Sequence, residues 1–93
     1  MPVYDVRITT SAQSQLDGWE QEYARGTDEN AADAYIEEFI EDARTLSHNP
    51  FRGTAVQVGG NHFRQITGLK TGCRIAYEVD QPNKCVDILE FSR

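Results

Sequence analysis

The stretch Cys73-Arg74-Ile75-Ala76-Tyr77-Glu78-Val79 alternates apolar and polar side chains, and it decides which architecture the chain can adopt. Alternation with a period of two is typical of a β-strand that is covered on one face only. The odd-numbered residues of this stretch, Tyr77 among them, are therefore predicted to face the core. Arg74 and Glu78 are predicted to lie on the opposite face, which no helix covers.

The segment after this strand predicts a hairpin. Gln81-Pro82-Asn83-Lys84 suits a turn with proline second, and Cys85 to Phe91 then forms a strand that is apolar on both faces. Because side chains alternate along a strand, Leu89 and Phe91 are predicted to lie on the face opposite Ile88. Two interpretations of that face stay open: a central strand sheltered by its neighbours, or a surface that binds a partner. The second interpretation also predicts a possible homodimer.

Further strands come from the rest of the chain. Val3 to Thr9 alternates as a half-buried N-terminal strand, and Val56 to Val58 and Phe63 to Thr67 are strand-like runs between glycine or proline turns. Together with the two strands above, they predict a mostly antiparallel sheet of four or five strands.

Two helical patterns follow the first strand. Thr10, with Gln13 three residues later, fits a capping box, and apolar residues at helical spacing continue to about Ala24. Arg25-Gly26-Thr27-Asp28 then supplies a glycine stop and a new cap, and a second helix is predicted to follow as far as Leu46. The short link implies an antiparallel helical hairpin packed on one face of the sheet, so the predicted fold class is α+β.

Composition and charge limit the classes of function. A chain of 93 residues is predicted to form one domain, residues 1–93. Residues 1–50 contain three basic and eleven acidic residues, and residues 51–93 contain six basic and four acidic residues. The net charge of −6 disfavours general, sequence-independent binding to nucleic acid. The acidic face of the second helix, Asp42 included, is interpreted as a solvated surface. No apolar run approaches the ~18 residues of a membrane helix and no leader opens the chain, which predicts a cytoplasmic protein without membrane contact.

The two cysteines, Cys73 and Cys85, do not have the spacing of a zinc site. A hairpin that turns at residues 81–84 places Cys73 far along the ladder from Cys85, so no disulfide is predicted. No metal ion or other cofactor is predicted either.

Four short motifs follow one another along the chain: Asn49-Pro50-Phe51-Arg52-Gly53, Phe63-Arg64, Arg74-Ile75-Ala76-Tyr77-Glu78-Val79 and Val86-Asp87-Ile88-Leu89. Their order after a strand and a helical hairpin resembles the RelE/ParE toxin superfamily, and the resemblance covers essentially the whole sequence. It implies a small toxin of a bacterial type II toxin–antitoxin module that a cognate antitoxin neutralises. RelE-like members cut mRNA on the ribosome, whereas ParE-like members poison DNA gyrase without nuclease chemistry.

A metal-independent endoribonuclease needs a base, an acid and cations that stabilise the phosphorane-like transition state. The resemblance implies that Arg64 and Arg74 match the phosphate-binding sheet arginines of RelE-like enzymes, with Arg52 the one cation between the second helix and these strands. His62 is the candidate base, two residues from Arg64 and so on the same strand face. The resemblance also implies a catalytic tyrosine or histidine beyond the last strand, which the ending Phe91-Ser92-Arg93 is not expected to supply.

The sequence therefore favours a ParE-like toxin that inhibits growth by binding a protein target such as DNA gyrase, rather than an enzyme. The predicted partner-binding residues are Arg64, Arg74, Leu89 and Phe91. The first alternative is a RelE-like, ribosome-dependent mRNA endonuclease that uses Arg52, His62, Arg64 and Arg74. A further alternative is a non-toxic binding protein with the same fold.

Overall fold

The computed structural model describes residues 3–26 and 28–93. The helices are α1, Thr10–Ala24, and α2, Glu29–Arg44, which continues into a 3-10 turn at Thr45–Ser47. The five strands are β1, Asp5–Ile8; β2, Thr54–Val58; β3, Asn61–Thr67; β4, Arg74–Asp80; and β5, Cys85–Ser92.

All five strands join one sheet in the order β1-β5-β4-β3-β2. The neighbours β2/β3, β3/β4 and β4/β5 are antiparallel, whereas β1 pairs with β5 in parallel. A parallel pair needs a crossover connection, and the helical hairpin between β1 and β2 is part of it. The α+β fold class, with a mostly antiparallel sheet, is confirmed.

Both helices begin at side-chain caps. The Asp28 carboxylate accepts a hydrogen bond from the Ala31 N–H at 2.8 Å, so the cap predicted within residues 25–28 is Asp28. The predicted cap of α1 is wrong by one residue, because Thr9 and not Thr10 accepts from the Ala12 N–H, at 3.3 Å. The Thr9 hydroxyl also donates to the Ile88 carbonyl at 2.8 Å, which ties the helix start to β5.

The core lies between the helical hairpin and one face of the sheet, called here the inner face. Tyr77 and Ile75 are fully buried on this face, as the alternation in β4 predicts. α1 packs against β5, and Trp19, Phe39 and Phe91 form an aromatic cluster with ring centroids 5.2 to 6.4 Å apart. Among the described residues, no helix is long and apolar enough to cross a membrane.

A β-bulge changes the alternation in β5. Ala76 pairs with Glu90, but Tyr77 pairs with Ile88, so Leu89 is an extra residue in β5. The prediction that Phe91 lies on the face opposite Ile88 is therefore wrong: Phe91 is 1% exposed and belongs to the core. Leu89 itself is half-buried.

Candidate functional site

The inner face of the sheet carries an open groove of about 450 Å³ at the end formed by β2 and β3. The strand register defines its floor: Ala55 pairs with Arg64, Gln57 with His62, and Arg64 in turn with Tyr77. Directly opposed residues share one face of a sheet, so these side chains all point to the side on which Tyr77 is buried. The groove is lined by Phe51, Ala55, Gln57, His62, Arg64 and Tyr77, among others.

The Arg64 guanidinium binds the segment that leads into β2. Its Nη1 donates to the Gly53 carbonyl at 2.8 Å and to the Phe51 carbonyl at 3.2 Å. Its Cζ also lies 5.2 Å from the centroid of the Phe51 ring, within the range of a cation–π contact. Part of the hydrogen-bonding capacity of Arg64 is therefore used within its own chain.

The Tyr77 hydroxyl also forms hydrogen bonds with the segment that leads into β2. It donates to the Pro50 carbonyl at 2.8 Å and accepts from the Gly53 N–H at 3.1 Å. Burial raises the pKa of Tyr77 more than the hydrogen bond from Gly53 and the charge of Arg64 lower it. Gly53 has no space for a side chain, because an added Cβ would meet the Tyr77 hydroxyl and lie 2.8 Å from the Gln65 carbonyl.

The other two nuclease candidates on this side are placed differently. His62 is exposed in the groove, on the same face as Arg64, as their spacing predicts. The Arg52 Nη2 donates to the Thr45 hydroxyl at 2.6 Å, and Arg52 lines a separate, smaller depression of about 280 Å³ between Gly53 and Thr67.

Arg74 lies on the outer face of the sheet, where it is exposed and paired with Thr67. This position agrees with its predicted face, but it separates Arg74 from Arg64, which shares the inner face with Tyr77. The predicted single surface of Arg64, Arg74, Leu89 and Phe91 is therefore wrong in its geometry. Arg64 and Arg74 lie on opposite faces, and Phe91 is in the core.

Asp42 in α2 is a buried carboxylate that the sequence did not reveal. It is 3% exposed and accepts hydrogen bonds from the Lys70 N–H at 3.1 Å, the Thr71 N–H at 3.0 Å and the Thr71 hydroxyl at 2.7 Å. Its interpretation as part of a solvated acidic face is wrong, because it binds the loop between β3 and β4. In the part of the chain that the structure describes, no three His, Cys, Asp or Glu side chains are grouped so that they could hold a metal ion.

Three solved structures have the same fold. The chain matches the chromosomal ParDE TA system from P. aeruginosa with a TM-score of 0.76 and 19% identity, covering 98% of this chain and 96% of the other. It matches the toxin–antitoxin complex RelBE2 from Mycobacterium tuberculosis with a TM-score of 0.71 and 22% identity, covering 98% of both chains. It matches the archaeal RelE–RelB complex from Pyrococcus horikoshii OT3 with a TM-score of 0.61 and 17% identity, covering 97% of this chain and 93% of the other. At these identities the likeness concerns the fold alone.

The fold is thus one that is found in proteins of toxin–antitoxin systems. Residues 6–93 also match the family model of the ParE toxin of the type II toxin–antitoxin system parDE. The chain belongs to this toxin family. A search of curated proteins found no match.

Proposed function

We propose that this toxin arrests growth in the ParE-like way, by binding a protein target such as DNA gyrase, and that a cognate antitoxin neutralises it. The family supports the toxin role, and the solved relatives of the same fold come from ParDE and RelBE systems. A target of this kind also places the site of action in the cytoplasm.

The observation that carries the proposal is the separation of the arginines. A metal-independent ribonuclease must bring cations to one phosphate. Here Arg74 lies on the outer face, and Arg64 in the groove binds the carbonyls of Phe51 and Gly53. Arg52 binds Thr45 outside the groove. This arrangement supports protein binding over phosphate chemistry.

The charge distribution supports the same conclusion. The chain carries −6 overall, and eleven of its acidic residues precede residue 51, in and around the two helices. A negative surface repels a polyanion such as ribosomal RNA. A protein target imposes no such penalty.

One observation favours the alternative, an endoribonuclease. His62 and Arg64 line one groove on one strand face, and a histidine and an arginine are the residue types that move a proton and stabilise a phosphate charge. In this alternative Arg64 must exchange its backbone carbonyl partners for a phosphate when RNA binds.

Controlled induction in a bacterial host separates the two functions. Wild type, His62→Ala and Arg74→Ala are compared for growth arrest, ribosome-bound mRNA cleavage and DNA-damage signalling. We expect the wild type to arrest growth with DNA-damage signalling and intact mRNA. The His62→Ala variant should arrest growth to the same extent. Arrest with mRNA cleavage that His62→Ala abolishes would assign the nuclease function instead. Absence of arrest in the wild type would contradict a toxin and leave a non-toxic binding protein.

Inhibition of DNA supercoiling by purified gyrase then tests the protein target directly. Arg74→Ala probes the outer face, Leu89→Ala probes the bulge in β5, and Gln57→Ala probes the groove. We expect at least one of these variants to lose inhibition while it keeps the wild-type unfolding midpoint. No inhibition by the wild type at any concentration would exclude gyrase as the target.

A further inference from the structure

Strand β2 is an edge of the sheet with one unpaired side. All five of its residues, Thr54–Val58, pair with β3, so the backbone groups that point the other way have no strand partner within residues 3–26 and 28–93. Such an edge can add a further strand through main-chain hydrogen bonds.

This edge lacks the features that protect most edge strands. Thr-Ala-Val-Gln-Val contains no charge and no proline, and Val58 is 61% exposed. Gly53 precedes the strand and Gly59 and Gly60 follow it, so no side chain blocks either end. The opposite edge of the sheet differs, because β1 carries charged residues at positions 5 and 7.

We propose that a second copy of this chain pairs its β2 antiparallel to this β2, so that the two sheets become one. Full overlap of the two strands places Val56 opposite Val56 of the second copy, and Thr54 opposite Val58 of the second copy. The pairing is symmetric, so each contact other than Val56–Val56 occurs twice, and a strand with no charged residue sets no like charges opposite each other.

Charge elsewhere in the molecule agrees with this occupant. No Asp or Glu occurs between residues 51 and 77, so neither β2 nor its neighbour β3 brings an acidic side chain to the new strand pair. The nearby cations, Arg52 and Arg64, bind Thr45 and the carbonyls of Phe51 and Gly53 in their own chain. Two copies can thus meet at β2 without opposing acidic side chains on the paired strands.

The dimer would also enlarge the groove. In an antiparallel pair, opposed residues share a face, so the inner faces of both copies would lie on the same side. Ala55 and Gln57 line the groove and would lie next to Gln57 and Ala55 of the second copy. The two grooves would adjoin across the new strand pair. This inference does not depend on the identity of the toxin's target.

Cysteine cross-linking tests the register, because opposed residues in a strand pair have the Cα separation that a disulfide needs. We expect Val56→Cys to form a covalent dimer under mild oxidation. Val58→Cys should not, because Val58 lies opposite Thr54, whereas the double variant Thr54→Cys/Val58→Cys should cross-link. The native Cys73 and Cys85 are buried, so the wild type is the unlinked control.

Sedimentation equilibrium tests the association without oxidation. The wild type should form a dimer whose fraction rises with concentration, up to about 100 µM. Val56→Lys places two like charges opposite each other and should give a monomer, while Leu69→Lys, which adds the same charge on an exposed loop, should still dimerise. The proposal is overturned by a monomeric wild type at that concentration, by a Val56→Lys dimer, or by equally fast cross-linking of Val58→Cys and Val56→Cys.

Discussion

Arg64 and Tyr77 are directly opposed residues of β3 and β4, and both bind the four-residue segment Pro50–Gly53. Arg64 binds the carbonyls of Phe51 and Gly53, and the Tyr77 hydroxyl binds the Pro50 carbonyl and the Gly53 N–H. This segment connects the helical hairpin to the edge of the sheet and forms one wall of the groove. The pair therefore links the stability of the fold to the shape of the candidate site.

Tyr77→Phe should destabilise the protein although it removes a single oxygen atom. The change leaves the Pro50 carbonyl and the Gly53 N–H without their partner, which costs about 1 to 3 kcal/mol. Urea denaturation measures the loss. Tyr4→Phe is the matched control, because this second buried tyrosine has no hydroxyl hydrogen bond among the described residues. Equal midpoints for Tyr77→Phe and wild type would contradict the role of the hydroxyl.

Arg64→Lys should lower the unfolding midpoint, whereas Arg74→Lys should not. A lysine keeps the charge of Arg64, but its ammonium cannot reproduce the planar guanidinium that contacts two carbonyls and the Phe51 ring. Arg74 is exposed on the outer face, where its side chain makes no hydrogen bond or ion pair with the part of the chain that the structure describes. Thermal denaturation of both variants checks this, and a shift of similar size in both would refute a structural role for Arg64.

The contrast between these two arginines shows how far the sequence could predict the site. Alternation within one strand correctly placed Arg74 and Tyr77 on opposite faces, because each residue's face follows from the period of two. The face of Arg64 depends on the register between β3 and β4, which no pattern within a single strand specifies. Phe91 was misplaced for a related reason, since one extra residue at Leu89 reverses the alternation.

Asp42→Asn should destabilise the loop between β3 and β4. The buried carboxylate accepts three hydrogen bonds from Lys70 and Thr71, and an amide in its place presents donors to donors. We expect a loss of about 1 to 3 kcal/mol in the free energy of unfolding, measured by urea denaturation. Asp33→Asn, at an exposed position of the same helix, makes the same charge change and should have almost no effect. Similar losses in both variants would mean that net charge alone is responsible.

Arg93→Ala should change the fluorescence of Trp19, the single tryptophan of the chain. The Arg93 guanidinium lies 4.4 Å from the Trp19 ring centroid and donates to the Tyr35 hydroxyl and the Glu22 carboxylate. Its removal should expose the indole to water, shift the emission to longer wavelength and cost about 0.5 to 1 kcal/mol. Arg74→Ala, on the outer face of the sheet, is the control. An unchanged emission maximum would show that Arg93 does not cover the indole in solution.

Alkaline pH should weaken the fold, and Tyr77 and Cys73 supply the reason. Burial raises the pKa of the Tyr77 phenol above its ordinary 10.0 and that of the Cys73 thiol above its ordinary 9.0. In the unfolded chain both groups lose their protons near the ordinary values, while the folded chain retains them to higher pH. The unfolded state then binds fewer protons, so the free energy of unfolding falls as pH rises.

The contribution of these two groups should be fully present below pH 9 and should decline as the pH rises through 10. Urea denaturation at several pH values from neutral to alkaline measures the slope. Tyr77→Phe lowers the overall stability, but it removes one of the two titrating groups and should therefore make the alkaline slope shallower. Comparing slopes rather than midpoints separates the titration from the lost hydrogen bonds. Parallel slopes for wild type and Tyr77→Phe would show that the phenol titrates alike in the folded and unfolded chains.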